Sequence, residues 1–223
     1  MPEDEDSALD SGALTLGDFV DRLASAEPVP GGGSASAVVA SLAAGLVAMV
    51  AGLSEGRPKY AAHAALHASA IEVGRRLAGR FLELSDEDAR AYSGFATALK
   101  LPRETDDEKA RRQAALSVAA RESAEAPLAT VEACLELVVT VESLVGRSNT
   151  NAASDLNVAA LLGEAAARGA AENVLVNLPS VGDDEYAAAT TSRVLGLLDD
   201  IRDFAAATHA GVRNGDARGP LPV

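Results

Sequence analysis

Two carboxylates stand out by the company they keep. In ELSDEDARAY, Asp88 and Tyr92 lie one helical turn apart, with Glu83, Asp86 and Glu87 around them. In SNTNAASDLNVAALL, Asn149, Asn151, Ser154 and Asp155 crowd a helix start. A carboxylate set among hydroxyls and amides can guide water or shuttle a proton. Acidic residues at a helix start also complement its dipole, and spacing alone leaves both readings open. At a hundred degrees per residue, Asp155, Ala159, Leu162, Ala166, Asn173 and Asn177 share one helical face, polar at both ends. Asp155 and Asn173 stand about 27 Å apart at ~1.5 Å per residue. They cannot meet on one small group within one subunit, whereas a long ligand or a neighbouring subunit would unite them.

The glycines of EPVPGGGSASA raise a second question. A phosphate-binding loop needs Lys and Ser/Thr after its last glycine, and a dinucleotide fingerprint needs a strand before it. Neither context is present. Gly31, Gly32 and Gly33 permit close approach of a ligand or another backbone. Ser34 is placed to cap the next helix, whose free amides attract negative charge. A tight turn with an N-cap explains the stretch equally well. His63 and His67 have metal-ligand spacing, yet no Glu follows His63 and no third ligand is near, so two exposed helical histidines are expected. Cys134 is the single cysteine and reads as a core filler. No metal site is expected.

The elements that must position these residues are helices. Of 223 residues 48% are hydrophobic, mostly Ala, Leu and Val, and aromatics are only 3%, a composition that favours closely packed helices. No segment shows sustained strand alternation. Turn signals predict about seven helices, near 15–25, 35–53, 59–82, 86–100 and 105–144, then one that starts within GRSNTNAASD at 146–155 and reaches about 177, and a last one near 184–209. Ser85 is the expected cap of the fourth. Thr105 and Glu108 form a capping box for the fifth, and Pro127 should kink or break that helix. The class is all-α: one domain at 14–210, after a disordered acidic arm at 1–13 and before a flexible tail at 211–223.

A net charge of −14 disfavours nucleic acid and anionic lipid as partners. MPEDEDSALD lacks the basic start and apolar core of a targeting signal, so a cytoplasmic location is expected. Residues 35–53 carry no charge and reach the lower limit for a membrane span. Their Ala, Gly and Ser content and lack of aromatic or basic flanks predict instead a helix buried on all sides within a bundle or oligomer.

Several segments together resemble the cyclodeaminase/cyclohydrolase family of folate one-carbon metabolism. They are PVPGGGSASAVVASLAAGLVAMVAGLS, the KY pair Lys59 and Tyr60, DEDARAYSGFATALKLPRET, APLATVEAC, SNTNAASDLNVAALL and ENVLVNL. They occur in family order over about 14–200. One departure is Ser148-Asn149, where the family usually has Gly-Asn. The resemblance implies a homodimeric, all-helical bundle with a folate site in a groove near the subunit interface. It implies hydrolysis of 5,10-methenyltetrahydrofolate to 10-formyltetrahydrofolate, or release of ammonia from formiminotetrahydrofolate with ring closure. A folate-binding helical dimer without turnover is a third reading. Asp155 is the first candidate for proton transfer and Asp88 the second, Asp88 having the pterin amino and ring nitrogens as its alternative partner. Gly32, Gly33 and Ser34 would position the pterin or a carboxylate, and Lys59, Lys100 and Arg103 the glutamate tail. Tyr60, Tyr92, Asn149, Asn151 and Ser154 complete the implied substrate-binding set. No metal or redox cofactor is required.

Overall fold

Local signals start and stop the helices, and small residues let them approach. The computed structural model describes residues 9–215 and 217–221. Six helices and no strand occur among them. Helix α1, Leu16–Leu23, is capped by Thr15, whose hydroxyl accepts from the Asp18 N–H at 3.1 Å. Helix α2, Gly32–Gly52, follows, and then a 3-10 turn, Pro58–His63, leads into α3, Ala64–Leu99. Helix α4, Asp106–Leu144, opens with the expected capping box of Thr105 and Glu108. A short 3-10 turn, Thr150–Ala152, leads into α5, Ala153–Val181, and α6 covers Asp184–Asn214.

The helix count is six, not seven, because the segments expected at 59–82 and 86–100 form the single helix α3. No Pro or Gly interrupts residues 82–86. Ser85 is not a cap. It is buried inside α3, where its hydroxyl pairs with that of Ser11 at 2.8 Å and its carbonyl accepts from the Ser34 hydroxyl at 3.1 Å. Helix α4 likewise runs on through Pro127. A helical proline strands the carbonyl four residues back, here that of Ser123. The Asn177 side chain on α5 donates to it at 3.1 Å. A neighbouring helix thus satisfies the group that proline leaves unpaired.

Helix α4 packs mainly against α5 and α3, and helix α2 packs against the same two. Its inner face carries Ala37, Ala40, Ala43, Ala44, Val47 and Val50, all buried. At the crossing with α3, a Cβ on Gly74 would sit 2.8 Å from the Ala44 carbonyl oxygen, so only glycine permits this approach. Cys134 fills the core as expected, and burial pushes its thiol up to about 12. Helix α2 is long and apolar enough to cross a membrane, yet its inner face is the core of the bundle. It is not buried on all sides within the protomer. Leu42, Gly45, Met49 and Leu53 remain exposed, as do Val158, Leu161 and Val176 on α5.

The chain ends also make contacts. Residues 1–8 of the expected arm lie outside the described residues, but the Ser11 N–H donates to Asp86 at 2.9 Å. Of the expected tail, residues 211–214 complete α6. Beyond it the Arg218 N–H donates to the Gly146 carbonyl at 3.1 Å, and Arg147 donates to that of Gly219 at 2.7 Å. Residues 216, 222 and 223 are outside the described set.

Candidate active site

Two polar sites form at opposite ends of α2. At its N-terminal end the glycines bring backbone against a carboxylate. The helix begins at Gly32 with Gly31 as N-cap, so Ser34 is inside the first turn and does not cap it. The buried Ser34 hydroxyl instead donates toward Asp88 Oδ2 at 2.9 Å, sharing its proton with the Ser85 carbonyl. A Cβ on Gly33 would lie 2.3 Å from Asp88 Oδ1, so the carboxylate occupies the space a side chain would take. Burial pushes the Asp88 carboxyl above its ordinary value, against the hydroxyl and backbone N–H of Ser34, which favour the anion. Asn173 approaches from α5, its Nδ2 lying 3.7 Å from a Cβ position on Gly32. Asn173 donates to the Gly169 carbonyl, and Asn177 donates to those of Asn173 and Ser123. Buried Ser123 Oγ has no partner of its own among the described residues.

At the other end the turn before α5 is braced by residues around the end of α2. The Asn149 N–H donates to Ser54 Oγ at 2.8 Å, and its side chain donates to the Leu53 carbonyl at 3.5 Å. The Tyr60 hydroxyl accepts from the Thr150 N–H at 3.1 Å. The Thr150 hydroxyl and N–H draw the Tyr60 phenol below its ordinary value, outweighing its burial. Lys59 Nζ lies 5.2 Å from the Tyr60 ring centre. A cavity of about 330 Å³ opens here, lined by Lys59, Tyr60, His63, Asn149, Thr150 and Arg218 among others.

The structure divides the sequence candidates between these ends. Gly32, Gly33, Ser34 and Asp88 come together, with Tyr92 exposed one turn further along α3. Lys59, Tyr60 and Asn149 meet at the far end, about 30 Å away along α2 at ~1.5 Å per residue. Asn151 and Ser154 are exposed near that end, and half-buried Asp155 is in the first turn of α5 but does not line the cavity. Lys100 and Arg103 are exposed on the turn after α3. Lys100 is about 18 Å beyond Asp88 along the helix at ~1.5 Å per residue. The three basic candidates therefore cannot share one glutamate tail in one protomer.

The histidines differ from expectation. His67 is buried, its Nε2 2.9 Å from the Arg147 carbonyl, and His63 lies on the 3-10 turn. Burial lowers the His63 pKa, and the charges of His67 and Arg147 lower it further. Among the described residues no three His, Cys, Asp or Glu side chains are grouped to hold a metal. Sequence reasoning missed His63 and Arg218 as cavity residues. The only signal for Arg218 was the glycine-rich run GVRNGDARG, which reads equally as a frayed end.

A profile of the family described as formiminotransferase-cyclodeaminase matches residues 15–195, which include every candidate site residue named from sequence. The chain belongs to this family. Its cyclodeaminase-type bundle is 35% identical to the methenyltetrahydrofolate cyclohydrolase of Methylorubrum extorquens, over 84% of this chain and 90% of that protein. It is also 35% identical to the formimidoyltransferase-cyclodeaminase of Sus scrofa, over 84% of this chain but only 35% of that longer protein. The fold matches the crystal structure of formiminotetrahydrofolate cyclodeaminase from Thermotoga maritima with a TM-score of 0.83. That match has 24% identity and covers 91% of this chain and 98% of the other.

Proposed function

We propose that the protein hydrolyses 5,10-methenyltetrahydrofolate to 10-formyltetrahydrofolate, with Asp88 as the proton-transfer group. The observation that carries this reading is the Asp88 carboxylate, partly desolvated against Gly33 and held by Ser34. A carboxyl whose affinity for protons is raised is suited both to take a proton and to return it. The substrate's bridging carbon joins N5 and N10 as an amidinium cation. Asp88 removes a proton from water as the oxygen bonds to this carbon. The carbon–N5 bond then breaks as the protonated carboxyl returns its proton to N5. The second water proton leaves for solvent as the formyl carbonyl forms on N10. The negative charge of Asp88 also favours binding of the cation. This reading asks for no metal or redox cofactor and fits a cytoplasmic enzyme.

Similarity along nearly the whole length of the Methylorubrum extorquens cyclohydrolase supports this direction. The match to the Sus scrofa protein supports a second reading, in which N10 attacks the formimino carbon and ammonia leaves. The same carboxylate would take the N10 proton and supply one to the departing nitrogen.

The active form in this proposal is a homodimer. The apolar stripe of Leu42, Gly45, Met49 and Leu53 on α2, continued by Val158 and Leu161 on α5, suits a second copy. An antiparallel pairing of the two stripes would bring the Asp88 end of one protomer beside the Asn149–Asp155 end of the other. The test is to mix the purified protein with 5,10-methenyltetrahydrofolate in a weakly buffering solution and follow its near-ultraviolet absorbance. Loss far above the uncatalysed rate is expected. No acceleration, with ammonia released from 5-formiminotetrahydrofolate, would establish the second reading. Silence in both assays would overturn the enzymatic proposal.

A further inference from the structure

The amide of Asn173 borders the Asp88 site but has no part in the reaction written above. Helix α5 reaches the first turn of α2 because Gly169 has no side chain. A Cβ there would collide with Ser36 Oγ, whose hydroxyl donates to the Gly32 carbonyl at 2.8 Å. One turn further along α5, Asn173 Nδ2 lies 3.7 Å from a Cβ position on Gly32, and Asp88 Oδ1 fills the place of a Cβ on Gly33. Gly32 and Gly33 are consecutive, with Cα atoms about 3.8 Å apart. The amide and the carboxylate therefore flank the same helix start, within one protomer.

Acceptors fix how the amide is turned. A side-chain amide nitrogen has two N–H donors. Asn177 Nδ2 uses both, on the Ser123 carbonyl at 3.1 Å and the Asn173 carbonyl at 2.8 Å. Asn173 Nδ2 uses one, on the Gly169 carbonyl at 2.9 Å, and no acceptor among the described residues takes the other. A carbonyl only accepts, so these bonds settle which end of each amide is nitrogen. Asn173 is half-buried, which leaves its side chain within reach of a ligand at this end.

The substrate has a matching pair of atoms. On the pterin ring the C4 carbonyl oxygen lies beside N5, the atom to which Asp88 returns its proton. A donor beside Asp88 that held this oxygen would hold N5 at the carboxyl.

We propose that Asn173 donates its second N–H to the C4 carbonyl oxygen, which sets N5 at Asp88 and makes the site select a 4-oxo over a 4-amino pteridine. This rests on the folate reading above and adds to it a specificity-determining contact. A 4-amino group presents hydrogens where the carbonyl presents lone pairs, so it meets Asn173 donor to donor. A site built to hydrogen-bond one group rejects an analogue that leaves its own polar group unpaired.

The test is anaerobic isothermal titration with tetrahydrofolate and with its 4-amino analogue, tetrahydroaminopterin. The wild-type chain is expected to bind tetrahydrofolate at least about tenfold more tightly, the scale of one hydrogen bond lost with a polar group left unpaired. In Asn173→Asp an acceptor of the same size replaces the donor, and the preference should vanish or reverse. In Asn173→Leu it should vanish, and kcat/KM for 5,10-methenyltetrahydrofolate should fall about tenfold. Each preference compares two ligands on one protein, so a loss of folded fraction cancels and cannot imitate the effect. An unchanged preference in both variants overturns the inference. So does a wild-type chain that turns over a tetrahydrofolate substrate and binds the two pteridines equally. Binding of neither pteridine, with no turnover, would overturn the folate reading and this contact with it.

Discussion

Asp88 is stable where it is only because two neighbours make room and supply hydrogen bonds. Gly33→Ala places a methyl within the space of the carboxylate. It should reduce turnover at least about 100-fold, the low end for losing general acid–base catalysis, with the helical circular dichroism kept. The raised proton affinity of Asp88 has two consequences of known sign. The acid limb of kcat/KM should lie above the ordinary carboxylate range, since catalysis needs the anion to accept the water proton. Folding shows the opposite demand. A folded-state pKa raised above the unfolded one gives stability that is present at low pH and is lost as pH rises through the folded value. Asp88→Asn should therefore raise the melting temperature at pH 7. The gain should shrink as pH falls through the folded value and be gone below about 3.9, the ordinary Asp value. Thermal denaturation at both pH values checks it. Sequence reading found Gly33 and Ser34 in one stretch and Asp88 in another, because each stretch has a local signature. It did not join them, since Ser34 and Asp88 are far apart along the chain and no periodicity encodes their hydrogen bond.

At the scale of elements, composition and turn residues made the all-helical class and most boundaries legible. The errors came from tertiary compensation. Pro127 breaks a helix in isolation, but Asn177 on α5 takes the carbonyl that proline strands. Asn177→Leu should leave that carbonyl unpaired and cost about 1–3 kcal/mol, read as a lower denaturant midpoint. Restoring the missing N–H with Pro127→Ala should recover much of the loss. An additive double variant would contradict the pairing. Ser85 shows the same effect in reverse. Its cap signature is real in sequence, but contacts with Ser11 and Ser34 stabilise it inside a continuous helix. His67 was expected in solvent because nothing local shows that the Arg147 carbonyl lies against its ring.

For the whole molecule, the small residues of α2 serve two surfaces. One packs against α3 and α5, and the other remains apolar and exposed. Sequence showed that the helix was uncharged all round but not which face a single protomer leaves open. Met49→Glu should convert the proposed dimer, at micromolar concentration, into a monomer of unchanged helicity, as read by sedimentation equilibrium. If each site takes the Asp88 end of one copy and the Asn149–Asp155 end of the other, that monomer should also lose turnover. The central claim concerns which carboxylate moves the proton. The most direct measurement is the turnover of 5,10-methenyltetrahydrofolate by Asp88→Asn, beside wild type and Asp155→Asn. A fall of at least about 100-fold in Asp88→Asn, with the helical circular dichroism retained, is the predicted result. Near-wild-type turnover in Asp88→Asn would contradict the account, and a collapse confined to Asp155→Asn would move the chemistry to the other end of the bundle.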